Sequence, residues 1–156
     1  MMNQPRVPAI VMVDDDPDDH LLVREAFLEN GFSAEFHQFL DGRELIDFLH
    51  GRGEFARNPA PRKPDLILLD INMPAMDGFE TLRKLKACPE ASIREIPVVI
   101  LTTSKNQEDV RTSYSLGACS YMEKPTGFEH LVKSMKVLLA YWFDIAQIPS
   151  GPHGHA

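Results

Sequence analysis

A chain of 156 residues with 44% hydrophobic and 25% charged content has the make-up of one ordinary globular domain, which buries roughly two-thirds of the surface its unfolded form exposes. Its net charge of −7 argues against nucleic acid, whose phosphates need a basic face. Two distant cysteines, Cys88 and Cys119, suggest neither zinc nor a disulfide, and no apolar run approaches the ~18 residues of a membrane span, so a cytoplasmic protein is expected.

In chain order, AIVMV within Val7–Val13 predicts a first strand, ended by DDDPDD. Asp16-Pro17 is a helix start: a capping acid, proline at the first helical position, then Asp18 and Asp19 as first-turn acids favoured by the helix dipole. The helix runs through Leu21, Leu22, Glu25, Phe27 and Leu28 to a stop at Asn30-Gly31. AEFHQF is a second strand, and Leu45, Ile46, Phe48 and Leu49 mark a short amphipathic helix. Residues 51–64, rich in Gly and Pro, read as a long loop. DLILL is a third strand, GFETLRKLKA a third helix capped by Asp77, IPVVILT a fourth strand and NQEDVRTSYSL a fourth helix. A short fifth strand over 119–122 precedes a last helix from about Gly127 to Ala146. Five βα units with strands apolar along their length predict an α/β fold, a doubly wound parallel sheet covered on both faces. In such sheets ligands sit beyond the carboxyl ends of the strands, where the strand order reverses.

Those ends carry Asp14 and Asp15, Asp70, Thr102 and Lys124. Three carboxylates in one crevice repel unless a cation joins them, and oxygen ligation by a few carboxylates is how Mg²⁺ is held, often with phosphate oxygens. A hydroxyl and an ammonium opposite would face a phosphoryl group. Asp70, in the middle, is the candidate nucleophile, because aspartyl phosphates are a known kind of covalent intermediate. Taken singly, Asp16, Asp18 and Asp19 are read as capping and dipole acids, Thr102 as a strand-end residue and Lys124 as a loop lysine; only the set raises the last two.

With VDDD (13–16), LLLDINMPAMDG (68–78), ILTTS (100–104) and YMEKP (121–125) in this order, the sequence resembles the receiver domain of bacterial response regulators over roughly residues 7–146. The resemblance implies a five-stranded flavodoxin-like sheet of order 2-1-3-4-5 within a receiver unit over 7–148, between a disordered start (1–6) and a flexible tail (149–156) that holds His153 and His155. It implies that Asp70 accepts a phosphoryl group from a sensor histidine kinase, with slow self-dephosphorylation and no turnover of an external substrate. Asp15, Asp70 and the backbone carbonyl of Asn72 would bind Mg²⁺, with Asp14 holding a metal-bound water. Lys124 and Thr102 would contact phosphoryl oxygens, Pro125 would follow a cis peptide bond, and Thr102 with Tyr121 would form the conformational switch. Two features depart from the family pattern: a bulkier residue, Thr103, after the switch threonine, expected to slow attack on the phosphoryl group, and the long 51–64 loop.

About thirty residues follow Pro125 and one helix takes most of them, so no output domain is expected and the signal would leave through a surface. Phe128, Leu131, Val132, Met135, Leu139 and Trp142 form one stripe of the last helix, while Val137, Tyr141 and Ile148 lie nearly opposite. A helix apolar on two faces predicts a homodimer through the fourth helix, fifth strand and last helix, with these three residues at its interface. DDDPDDHLLVREAF, LTTSKNQEDV and the ending YWFDIAQIPSG are similar to small regulators paired with bacterial and cyanobacterial phytochromes, which implies a bacteriophytochrome kinase as donor. Three rival classes are an aspartyl-phosphate phosphohydrolase, a phosphorylation-independent binding module and a nucleotide- or flavin-binding doubly wound domain, against which stands the lack of a Gly-rich phosphate loop after the first strand. The first usually has an acid two residues after its nucleophile, where this chain has Asn72; the intact set of acids, hydroxyl and lysine argues against the second.

Overall fold

Among the described residues, five strands form one parallel sheet: β1 (Ala9–Val13), β2 (Glu35–Phe39), β3 (Leu66–Leu69), β4 (Val98–Thr102) and β5 (Ser120–Glu123). The computed structural model describes residues 7–56, 63–73 and 76–149. The strand order is β2-β1-β3-β4-β5, as the resemblance implies. Every residue of β1, β3 and β4 is buried, because helices cover both faces, while β2 and β5 are edges and partly exposed. After β1 the chain first builds outward to β2, then crosses back to β3 on the other side, so the order reverses between β1 and β3.

The helices are α1 (Pro17–Glu29), α2 (Gly42–His50), α3 (Gly78–Lys86), α4 (Ala91–Arg94), α5 (Gln107–Ser115) and α6 (Phe128–Ala140). One core layer joins Leu45, Phe48 and Leu49 of α2 and Leu82 and Leu85 of α3 to one face of the sheet. The other joins Val23, Ala26 and Phe27 of α1 and Leu131, Met135, Leu138 and Leu139 of α6 to the opposite face. Asp16, Asp41, Asp77 and Asn106 cap α1, α2, α3 and α5, each accepting a backbone N–H from the first turn at 2.9 Å.

Several expectations need correction. On α1 the face turned to the sheet is His20, Val23, Ala26 and Phe27, whereas Leu21, Leu22 and Leu28 point outward, Leu28 with 68% of its surface exposed. This rotation puts the His20 ring where its Nε2 donates to the Asp14 carbonyl at 2.8 Å, so a polar residue takes a core position. The short helix α4 was not foreseen, and the expected fourth and last helices are therefore α5 and α6. The expected last helix to Ala146 is α-helical only to Ala140; Tyr141–Ile145 form a π-helical turn and Ala146 is extended. Ile148 lies beyond the last helical residue and is partly buried.

The start of the 51–64 loop is ordered. Gly53–Phe55 form a 3₁₀ turn that sets the Phe55 ring 5.8 Å from Phe39 and 5.4 Å from Phe48, between ring centroids. Residues 57–62 of that loop, the expected disordered start at 1–6, and all but one residue of the expected tail, with His153 and His155, lie outside the described residues. Among the described residues no helix is long and apolar enough to cross a membrane.

Candidate functional site

Three loops at the carboxyl edge of the sheet converge because the parallel ladder runs one residue past the strands. The Asp14 N–H donates to the Phe39 carbonyl at 3.1 Å and the Asp70 N–H to the Val13 carbonyl at 3.0 Å. Both acids are thus fixed by sheet hydrogen bonds although they lie just beyond β1 and β3. Across the sheet, the Lys124 N–H donates to the Thr102 carbonyl at 2.7 Å and brings the loop after β5 to the same edge.

Side chains complete the cluster. Asp14 and Asp70 are buried and Asp15 is exposed, and one carboxylate oxygen from each lies within 4.8 Å of the other two. Asp14 Oδ1 accepts the Asp16 N–H at 2.9 Å, which folds the acidic turn back on itself, and Asp70 Oδ1 accepts the Asn72 N–H at 3.2 Å. The Lys124 ammonium lies 2.7 Å from Asp14 Oδ2, 2.7 Å from Asp19 Oδ2 and 3.5 Å from Asp70 Oδ2. The contact to Asp14 is an ion pair rather than an aligned hydrogen bond, so the buried Oδ2 has no directed donor.

Burial pushes the Asp14 carboxyl above the usual carboxylate value, against the opposing pull of Lys124 and the Asp16 N–H; the charge of Asp70 adds to the rise. Lys124 is desolvated too, but Asp14 and Asp19 outweigh that effect and hold its pKa above the usual lysine value. It is therefore a permanent cation at neutral pH. Three converging hard oxygen donors, one of them buried without an aligned donor, fit a divalent cation such as Mg²⁺, Mn²⁺ or Ca²⁺ by their chemistry.

Thr102 is fully buried at the end of β4, and its Oγ1 takes a long contact, 3.5 Å, from the Ser104 N–H; Thr103 is exposed beside it. Tyr121 on β5 packs its ring against the core, and its hydroxyl donates to the Ser104 carbonyl at 2.9 Å. Ser104 in turn donates from Oγ to Asp109 of α5 at 2.6 Å. The Lys124–Pro125 bond is trans, contrary to expectation: the described chain has no cis peptide bond. The trans form is the ordinary ground state even before proline. Val137 and Tyr141 are exposed, at 69% and 50%, while Ile148 is partly buried; Ile145, also 69% exposed, extends the outward apolar strip instead.

Two members of the neighbourhood were missed in the sequence. Asp19 is a first-turn acid of α1 as expected but is also in direct contact with Lys124, and His20 supports the Asp14 carbonyl from the core side. The stretch DDDPDD masks the first: six residues with five acids give no local sign of which acid turns inward.

Residues 10–136 match the response regulator receiver domain family. The chain is 35% identical over 148 residues to response regulator Rcp1 of Synechocystis sp., covering 95% of this chain and 96% of that one. A structure of the Mn²⁺-bound form of Rcp1 superposes with a TM-score of 0.79 at 34% identity, over 92% of this chain and 99% of that one. The phosphorylated cyanobacterial phytochrome response regulator RcpA matches with a TM-score of 0.83 and 34% identity, over 93% of this chain and all of that one. RPA3017, a response regulator in red light signalling of R. palustris, matches with a TM-score of 0.85 and 29% identity, over 93% of this chain and all of that one.

Proposed function

The chain belongs to the response regulator receiver domain family, and on that premise we propose that it accepts a phosphoryl group on Asp70 from a light-regulated histidine kinase of the phytochrome type. One observation carries the reading. Asp70 ends a strand buried on both faces, has an ammonium 3.5 Å away and shares its crevice with the carboxylates of Asp14 and Asp15.

In the transfer, an Asp70 carboxylate oxygen attacks the phosphorus of a phosphohistidine. The P–N bond breaks, the imidazole leaves with the electron pair and takes a proton from solvent, and an aspartyl phosphate remains. A rigid strand end keeps the nucleophile in place, while Lys124 and the Thr102 hydroxyl meet the charge on the phosphoryl oxygens. Mg²⁺ is the cation these donors would hold, through Asp15, Asp70 and the Asn72 carbonyl, with Asp14 acting by way of a water; when bound, it neutralises the acids and the incoming oxygens. Thr103, exposed at the mouth, slows attack by donors and by water.

Output passes through Thr102 and Tyr121. Movement of Thr102 toward the phosphoryl group disturbs Ser104, whose carbonyl receives the Tyr121 hydroxyl and whose own hydroxyl reaches α5. The surface of α5, β5 and α6 then changes, and a second copy of the chain docks there through the strip that includes Val137 and Tyr141. That is a two-state element biased by local charge.

The partner is tested by phosphotransfer from kinases charged beforehand with labelled ATP. Label is expected to pass to the wild type and not to Asp70→Asn, and faster from a phytochrome kinase than from unrelated kinases. Equal rates from all donors would remove the phytochrome assignment.

A further inference from the structure

We propose that Asp19 is a positioning residue that holds Lys124 back from the phosphoryl group and so sets the rate at which Asp70 is labelled; the inference rests on the receiver reading above. Lys124 has three acidic neighbours, but its contacts with them differ. Its aligned hydrogen bonds go to Asp19 at 2.7 Å and, more weakly, to Asp70 at 3.5 Å, whereas its approach to Asp14 is out of alignment.

The helix does not need Asp19 as a cap, since Asp16 already fills that role on the Asp18 N–H. Asp19 also stands outside the group of three acids that can share a cation. A divalent ion held by Asp14, Asp15 and Asp70 would compete with Lys124 for two of its partners but not for Asp19, so the hold of Asp19 on the ammonium would persist.

The consequence follows from the chemistry of transfer. With acetyl phosphate as donor, the Asp70 oxygen bonds to phosphorus, the P–O bond to the acetyl group breaks, and acetate departs with the electron pair. Charge gathers on the phosphoryl oxygens, and Lys124 must turn to them. Every interaction that is stronger before the transition state than within it slows the step. The Asp19–Lys124 pair is such an interaction, and Asp19→Asn removes its charge at nearly unchanged shape.

The test follows acetyl phosphate labelling of the full chain in Mg²⁺ by intact mass, for wild type, Asp19→Asn, Lys124→Met and the double variant. Asp19→Asn is expected to label about two- to fivefold faster, and the gain to vanish in the Lys124→Met background. A second readout needs neither metal nor donor. In EDTA, the shift in urea midpoint caused by Asp19→Asn should be lost when Lys124 is already Met, because the two side chains act as a pair. An unchanged or slower rate in Asp19→Asn overturns the proposal. So does an equal gain without Lys124, which would mark a general effect of charge. A wild type that gains no adduct while the EDTA coupling is present would instead overturn the reading of Asp70 as phosphoacceptor, and this inference with it.

Discussion

At the scale of single residues, Gly78 shows how tightly the site is framed. A Cβ there would fall 2.3 Å from the Asp70 carbonyl oxygen and 2.5 Å from the Ile71 Cα, and both neighbours are backbone that cannot rotate away. Gly78→Ala is expected to lose about 1–3 kcal/mol in urea denaturation and to slow labelling of Asp70, since the clash displaces the turn that carries it. Full stability in that variant would contradict the close packing. Asp14 makes a prediction of the opposite sign. Its raised pKa means that the folded state binds the proton more tightly than the unfolded state does. The stability this contributes is complete below the ordinary value of 3.8 and is lost as pH rises through the raised value. In EDTA, Asp14→Asn should therefore be more stable than wild type at neutral pH, and the advantage should shrink toward pH 3.8. Thermal unfolding across that range checks it; an advantage constant with pH would mean that ionisation of Asp14 is not its source.

Helices α1 and α6 carry the predictions at the scale of elements. Phe27 is buried against Phe36, with ring centroids 5.3 Å apart, whereas Leu28 faces water. Phe27→Ala should cost about 3–5 kcal/mol and Leu28→Gln no more than about 0.5. The reverse ranking would mean that α1 is rotated. This rotation was illegible from periodicity alone, because Leu21, Leu22 and Leu28 offer an apolar flank as convincing as Val23, Ala26 and Phe27. What separates them is tertiary packing: Val23, Ala26 and Phe27 meet the sheet and α6, which no local spacing encodes. On α6 the stripe through Leu131, Met135 and Leu139 was readable, while the π turn at Tyr141 was not. Val137, Tyr141 and Ile145 remain as exposed apolar residues at helical intervals. Tyr141→Glu should convert a dimer to a monomer in sedimentation velocity, and an unchanged species would remove the proposed interface.

For the whole molecule, the sheet was legible because its interior strands are apolar on both faces and alternate with helices, as a doubly covered parallel sheet requires. The acids at the strand ends were legible for the same reason: a carboxylate directly after Val13 or Leu69 is delivered by the ladder to one rim. Asp19 was hidden because its contact depends on where the first turn of α1 meets the loop after β5, a relation across 105 positions of the chain. Helix α4 was hidden because four residues between Pro89 and Pro97 cannot show a helical period. The central claim is that this rim makes Asp70 a phosphoacceptor. Intact-mass spectrometry after incubation with acetyl phosphate tests it most directly, on the wild type with Mg²⁺, with EDTA, and on Asp70→Asn. The expected result is one phosphoryl adduct in the wild type with Mg²⁺ and none in the other two samples. An adduct that survives Asp70→Asn, or forms equally in EDTA, would contradict the account.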